Sequence, residues 1–188
     1  VTPGNPGIPG SVATPPEEID ADLFVIGPEA PLVDGLADRL RSASRRVFGP
    51  GADGARLEGS KAWMKEVLVK AGVPTARHGA FTDEAAALAF LDVMADLFVV
   101  KTDGLAAGKG VLVTEDRGEA ADAVRSYLSG DAFGDAGRTV VIEEGLTGPE
   151  LSLLAICDGR TAVPLAPAQD YKRIGDGDAG PNTGGMGA

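Results

Sequence analysis

Short apolar runs closed by Gly or Pro alternate along this chain with stretches in which apolar residues return every three or four positions, the pattern of strands interleaved with helices. Residues 1–16 are dense in Pro and Gly and predict loop. Asp22-Leu23-Phe24-Val25-Ile26 then predicts a strand, ended by Gly27-Pro28-Glu29-Ala30-Pro31. Leu32, Val33, Leu36, Ala37 and Leu40 recur at helical spacing with Pro31 tolerated in the first turn, and residues 45–48 resume as strand before Gly49-Pro50. That is a βαβ unit and implies a parallel sheet. Ser60 can cap the next helix, whose stripe is Trp63, Met64, Val67, Leu68 and Ala71, with Trp63 and Met64 expected in the core. Gly72 sits where a helix-ending glycine belongs, and Pro74 prevents continuation.

After an extended piece over residues 75–81, Thr82 is expected to cap a second helix with Asp83 and Glu84 in its first turn and Ala85, Leu88, Ala89 and Leu91 on its apolar side. Val99-Val100 and Val111-Leu112-Val113 are strands around a glycine-rich loop. A third helix is predicted over 117–128 (Ala120, Ala121, Val124, Leu128), closed by Gly130, and a strand over 139–143. Two helices on one small antiparallel sheet make a lid-sized α+β unit from about residue 74 to 143. Beyond it, residues 151–157 and 161–166 are apolar strands joined through Asp158-Gly159-Arg160, a hairpin signal. Residues 169–188 are too glycine-rich to pack as a core and read as loop.

Chemistry concentrates in VVKTDGLAAGKGVLV, residues 99–113, where Gly104, Gly108 and Gly110 stand between Lys101 and Lys109. Glycines let the backbone approach a ligand, and unpaired N–H groups beside ammonium groups suit phosphates. A Walker A loop is excluded because three residues separate Gly104 from Gly108 and Gly110, not Ser or Thr, follows Lys109. A Rossmann fingerprint is excluded because strand, not helix, follows. A phosphate flap and a glycine hairpin with solvated lysines both remain. Lys61 falls in the first turn of its helix, unfavourable for a cation unless an anion is near. GPEAP and GPG lie beyond the carboxyl ends of parallel strands, where ligands collect, although ordinary tight turns read the same way. Glu143, Glu144, Leu146 and Glu150 could meet an adenine edge and a ribose diol, or form a solvated acidic turn.

Composition trims the options. With 188 residues and 44% hydrophobic content the chain can bury a core of one or two domains. A net charge of −11 with scattered Lys and Arg argues against a nucleic-acid surface. The single cysteine, Cys157, in an apolar run, excludes an internal disulfide, fits a reducing compartment and is expected to be buried. No apolar run approaches the roughly 18 residues of a membrane span and no signal-peptide pattern is present, so a cytoplasmic protein without membrane contact is expected. His78 is given no role.

Four segments in order, LEGSK (57–61), VVKTDGLAAGKGV (99–111), VIEE (141–144) and QDYKRIGDGDAGPNTGGMGA (169–188), resemble the phosphoribosylamine–glycine ligase (glycinamide ribonucleotide synthetase) family of the ATP-grasp superfamily; PGN (3–5) and GPEAPLV (27–33) resemble its amino-terminal domain. The resemblance implies an α/β chain with an α+β lid: a partial Rossmann-like parallel-sheet domain over 1–59, then a partial ATP-grasp domain over 60–188, truncated at both ends. It implies ATP-dependent ligation of glycine to 5-phosphoribosylamine through glycyl phosphate. Another ATP-grasp carboxylate–amine ligase, or a non-catalytic nucleotide-binding module, are the alternatives.

Carried over residue by residue, Lys61 and Lys101 match lysines that hold ATP phosphates, and Gly104, Leu105, Ala106, Ala107, Gly108, Lys109 and Gly110 match the flap above them. Glu143, Glu144 and Leu146 match the adenine hinge, and Glu150 the ribose acceptor. Lys172 and Arg173 are implied to neutralise the transferring phosphoryl group as catalytic residues. Asp178, Asn182, Thr183, Gly184, Gly185 and Met186, with Gly27, Pro28 and Glu29, are implied to meet glycine or phosphoribosylamine. The Glu and Asn ligands for Mg2+ or Mn2+ are expected beyond residue 188, so these residues alone are expected to be inactive. The implied partners are ATP, glycine and phosphoribosylamine bound to a monomer.

Overall fold

The computed structural model describes residues 8–11, 13–94, 96–105, 110–130, 138–177 and 179–187. Two compact units are present, Val1–Gly145 and Leu146–Ala188.

In the first unit, β1 (Phe24–Val25) and β2 (Val47–Phe48) pair in parallel, Phe24 opposite Val47, as the βαβ pattern predicts. The connecting helix is not continuous. It divides into α1 (Glu29–Val33) and α2 (Leu36–Ser42) because Gly35 takes φ 79, a left-handed conformation open to glycine. Leu36 and Leu40 close over Phe24, while Ala37 packs with Leu32 and Ala55. Ala55 belongs to α3 (Ala52–Gly59), a helix the apolar spacing does not signal, since Ala55 is its buried residue. Asp38 compensates for the glycine before α3 by accepting from Ala52 N at 2.7 Å.

Helix α4 (Lys61–Lys70) starts where Ser60 Oγ accepts from Trp63 N at 3.1 Å, and the chain leaves it through Gly72 at φ 70. Trp63 and Met64 are only half-buried, contrary to expectation, and the Arg56 guanidinium lies 4.9 Å from the Trp63 ring centre. The buried residue of this helix is Lys65.

Strands β3 (His78–Phe81), β4 (Phe98–Thr102), β5 (Val111–Thr114) and β6 (Val140–Glu144) form one antiparallel sheet in the order β3-β6-β4-β5. Helices α5 (Glu84–Leu91) and α6 (Arg117–Leu128) cover it, burying Ala87, Leu91, Ala120, Ala121 and Val124 against Phe98, Val100, Val140 and Ile142. The cap of α5 is Asp83, not Thr82: its carboxylate accepts from Ala86 N at 2.8 Å, which places the boundary one residue later. Asp116 caps α6 through Gly118 N and Glu119 N. Because strand residues alternate faces, Lys101 and Glu143 lie opposite the helix-covered side of the sheet.

The second unit holds β7 (Glu150–Ser152), β8 (Ala155–Cys157), β9 (Ala162–Pro164), β10 (Ala168–Gly175) and β11 (Ala179–Gly187). The apolar run 151–157 is two strands rather than one, β7 pairing with β10 and β8 with β9. Asp158 closes the β8–β9 hairpin by accepting from Arg160 N and Thr161 N, with Gly159 at φ 88. Cys157 is exposed, not buried, because every residue of this two-stranded ladder is exposed. Residues 169–188, read as loop, instead carry the hairpin β10–β11, paired through its backbone (Tyr171 opposite Gly187, Arg173 opposite Asn182). Among the described residues no helix is long and apolar enough to cross a membrane.

Candidate functional site

Register sets the centre of the site. On β6, Glu143 lies opposite Val99 of β4, so Lys101, two residues along the same face, reaches it diagonally. Lys101 Nζ donates to Glu143 Oε1 at 3.0 Å, and Lys65 Nζ, arriving from α4, donates to Oε2 at 2.8 Å. Lys65 also donates to Thr75 Oγ1 at 2.8 Å. Glu143 is 6% exposed and Lys65 4%. Burial by itself would raise the Glu143 carboxyl, but the hydrogen bonds and charges of Lys65 and Lys101 outweigh it and hold the group below its ordinary value. Two lysines on one buried carboxylate leave the cluster positive, and Lys101 is its more exposed member.

Beside it stands the base of the glycine loop. Thr102 N donates to Gly110 O at 2.9 Å, pinching the loop shut. Asp103 N donates to Thr139 O, while the Asp103 carboxylate accepts from Ser60 Oγ at 3.0 Å and Ala62 N at 2.7 Å. An acidic side chain therefore caps the first turn of α4, with the sign the helix dipole favours. Lys61 Nζ bends to Gly104 O at 3.0 Å. Burial pushes the Lys61 ammonium below its ordinary value, opposed by Asp103 and reinforced by Lys101. Asp103 supplies an anion near the first-turn Lys61, and the Lys61 and Lys101 ammonium groups both stand near the stem of the glycine loop, Lys61 on the Gly104 carbonyl and Lys101 on Glu143.

The remaining sequence-read positions are distributed as follows. Gly104, Leu105 and Gly110 bound the loop, and Ala106, Ala107, Gly108 and Lys109 lie outside the described residues, as does Asp178. Glu144 turns away from Glu143, and its Oε1 accepts from Arg77 N at 2.8 Å. Leu146 and Glu150 are exposed and belong to the second unit. There Lys172 and Arg173 lie on β10, and Asn182, Thr183, Gly184, Gly185 and Met186 on β11, with Asn182 opposite Arg173. Gly27 and Pro28 follow β1, with Pro28 at the start of α1 and Glu29 in its first turn. Sequence reasoning missed Lys65, Thr75 and Asp103. A usable signal existed for the first: Lys65 is four residues after Lys61, on one helical face, a like-charge pair that an isolated helix disfavours. Among the described residues no group of three or more His, Cys, Asp or Glu side chains could hold a metal ion.

Comparison with solved structures defines the class. A phosphoribosylamine–glycine ligase from Thermotoga maritima superimposes with a TM-score of 0.74 at 35% identity, covering 89% of this chain and 41% of that one. A biotin carboxylase–β,γ-ATP complex from Campylobacter jejuni superimposes with a TM-score of 0.68 at 20% identity, covering 82% of this chain and 36% of that one, a likeness of fold alone. The fold is ATP-grasp, mixed helix and strand behind an amino-terminal parallel pair. Residues 1–58 match the family model described as phosphoribosylglycinamide synthetase, N domain, and residues 59–188 that described as phosphoribosylglycinamide synthetase, ATP-grasp (A) domain. The chain belongs to the phosphoribosylglycinamide synthetase family. A phosphoribosylamine–glycine ligase from Xanthomonas campestris is 57% identical over 166 residues, 88% of this chain and 38% of that protein. The chain thus spans well under half the length of that relative.

Proposed function

We propose that the full-length protein carrying this chain is an ATP-dependent ligase that joins glycine to 5-phosphoribosylamine, a step of purine biosynthesis in the cytoplasm. The observation that carries the reading is the pair of ammonium groups, Lys61 and Lys101, near the stem of the glycine-rich loop, Lys61 on the Gly104 carbonyl and Lys101 on Glu143. In that reading a carboxylate oxygen of glycine attacks the γ-phosphorus of ATP and ADP leaves. The amine of phosphoribosylamine then attacks the acyl carbon, and inorganic phosphate leaves with the oxygen. Phosphorylation is needed because a carboxylate oxygen is a poor leaving group until it carries phosphate.

Lys61 and Lys101 hold the nucleotide phosphates, and residues 104–110 close over them with backbone N–H groups, excluding water. Glu143, Glu144 and Leu146 border the adenine and Glu150 accepts from the ribose. Lys172 and Arg173 face the transferring phosphoryl group, and Asp178, residues 182–186 and residues 27–29 meet the other two substrates. Residues 1–59 and 60–188 act as separate domains, with residues 74–143 as a lid, in a monomeric enzyme. A bound divalent cation, Mg2+ or Mn2+, would supply positive charge to offset that of the nucleotide phosphates. The described side chains do not form a cage for it.

The test is ADP release by the full-length protein with Mg2+ or Mn2+, omitting one substrate at a time. Release that requires both glycine and phosphoribosylamine is expected; release indifferent to glycine would remove the reading.

A further inference from the structure

We propose that Lys65 is a positioning residue for nucleotide binding: it neutralises Glu143, so that the Lys101 ammonium is aimed by that carboxylate yet keeps its charge available to an anion. The inference rests on the reading of Lys101 as a phosphate ligand. A lone lysine–glutamate pair is neutral, and a buried carboxylate with one partner relies on that partner for all of its charge compensation. Here the oxygens are divided, Oε2 to Lys65 and Oε1 to Lys101. Thr75 fixes the Lys65 ammonium from its other side. With a side chain 6% exposed, Lys65 cannot meet a ligand itself, whereas Lys101, 25% exposed, retains N–H donors beyond the one given to Glu143. The surplus positive charge of the cluster is therefore presented at Lys101. Nothing in the loop sequence signals this, because the neutralising lysine comes from α4.

Three forms of the full-length protein test it by titration with ATP and with adenosine, which shares the base and ribose but carries no phosphate: wild type, Lys65→Met, and Lys65→Met/Glu143→Gln. Lys65→Met removes the ammonium at similar volume and should weaken ATP at least about tenfold, while adenosine changes less than about twofold. The double variant removes the carboxylate that would otherwise capture Lys101, at the cost of the contact that aims it, and should therefore bind ATP at least about threefold more tightly than Lys65→Met without reaching wild type. Unchanged ATP affinity in Lys65→Met overturns the inference. Parallel weakening of ATP and adenosine, or a double variant as weak as the single one, also overturns it, since a merely structural role predicts both. Should Lys65→Met fail to fold, the double variant is compared with Glu143→Gln: with the carboxylate gone Lys65 has nothing to neutralise, so the two should bind ATP within about threefold of one another, and a further loss of about tenfold in the double variant overturns the inference. A wild-type protein that binds no ATP removes the nucleotide reading itself, and is distinguished from these results by its own titration.

Discussion

Replacing Asp103 with alanine tests whether the base of the glycine loop is tied to the first turn of α4. The wild-type carboxylate accepts from Ala62 N at 2.7 Å and from Ser60 Oγ at 3.0 Å. Both contacts are part-buried and charge-assisted, and truncation leaves the Ala62 amide without its acceptor. Ser60 Oγ still accepts from Trp63 N at 3.1 Å, so the helix keeps one cap. A lost cap costs about 1 kcal/mol, and a charge-assisted bond about 1.5–3, so Asp103→Ala should cost about 2 kcal/mol. In a domain of this size that corresponds to a melting temperature lower by roughly 6 °C. Asp103→Asn retains one acceptor oxygen and should lose about half as much. The assay is urea unfolding of the full-length protein followed by tryptophan fluorescence, to which Trp63 in the first turn of α4 contributes. Ser60→Ala, Asp103→Ala and the double variant complete a cycle with an expected coupling of about 1 kcal/mol. Asp103→Ala within about 0.5 kcal/mol of wild type, the range of ordinary surface changes, would refute the tie.

Two further outcomes follow from the same geometry. The folded Glu143 carboxyl lies below its ordinary value of 4.5, so its ionised form stabilises the fold above that pH, and the contribution is lost as pH falls through the folded value. Glu143→Gln should therefore flatten the acid limb of stability against pH while lowering stability at neutrality, where two lysines lose their carboxylate; urea midpoints measured from pH 3 to 7 show whether it does. A Cβ on Gly145 would collide with the side chain of Leu97, whose carbonyl also accepts from Gly145 N at 2.7 Å, so Gly145→Ala should cost about 1–3 kcal/mol in the same unfolding assay. An unchanged midpoint would show that Leu97 is free to move.

What the sequence made legible was what depends on local chemistry. The glycine loop between two β-branched runs did become the β4–β5 hairpin, and helix 117–128 kept its predicted ends because Asp116 and Gly130 mark them locally. The ATP-grasp class was legible only through the resemblance of segments such as 99–111 and 169–188 to a known family. What escaped depends on distant partners. Lys65 reads as a solvated helix lysine until Glu143 of β6, paired with it at 2.8 Å, makes it the buried residue of α4. Asp103 reads as one more polar loop residue until α4 places the Ala62 amide against it. The β10–β11 hairpin was missed for a different reason: glycines weaken a strand's propensity without removing the backbone groups that pair it. The exposed Cys157 was misjudged because an apolar run was equated with a buried one.

The central claim is that Lys101, held by Glu143 beside the glycine loop, is a ligand for nucleotide phosphates. Calorimetric titration of the full-length protein with ATP, before and after Lys101→Met, tests it most directly. The account predicts at least about tenfold weaker binding in the variant, roughly 1.4 kcal/mol, with a smaller favourable enthalpy. Equal ATP affinity in the two proteins, both folded, would contradict it.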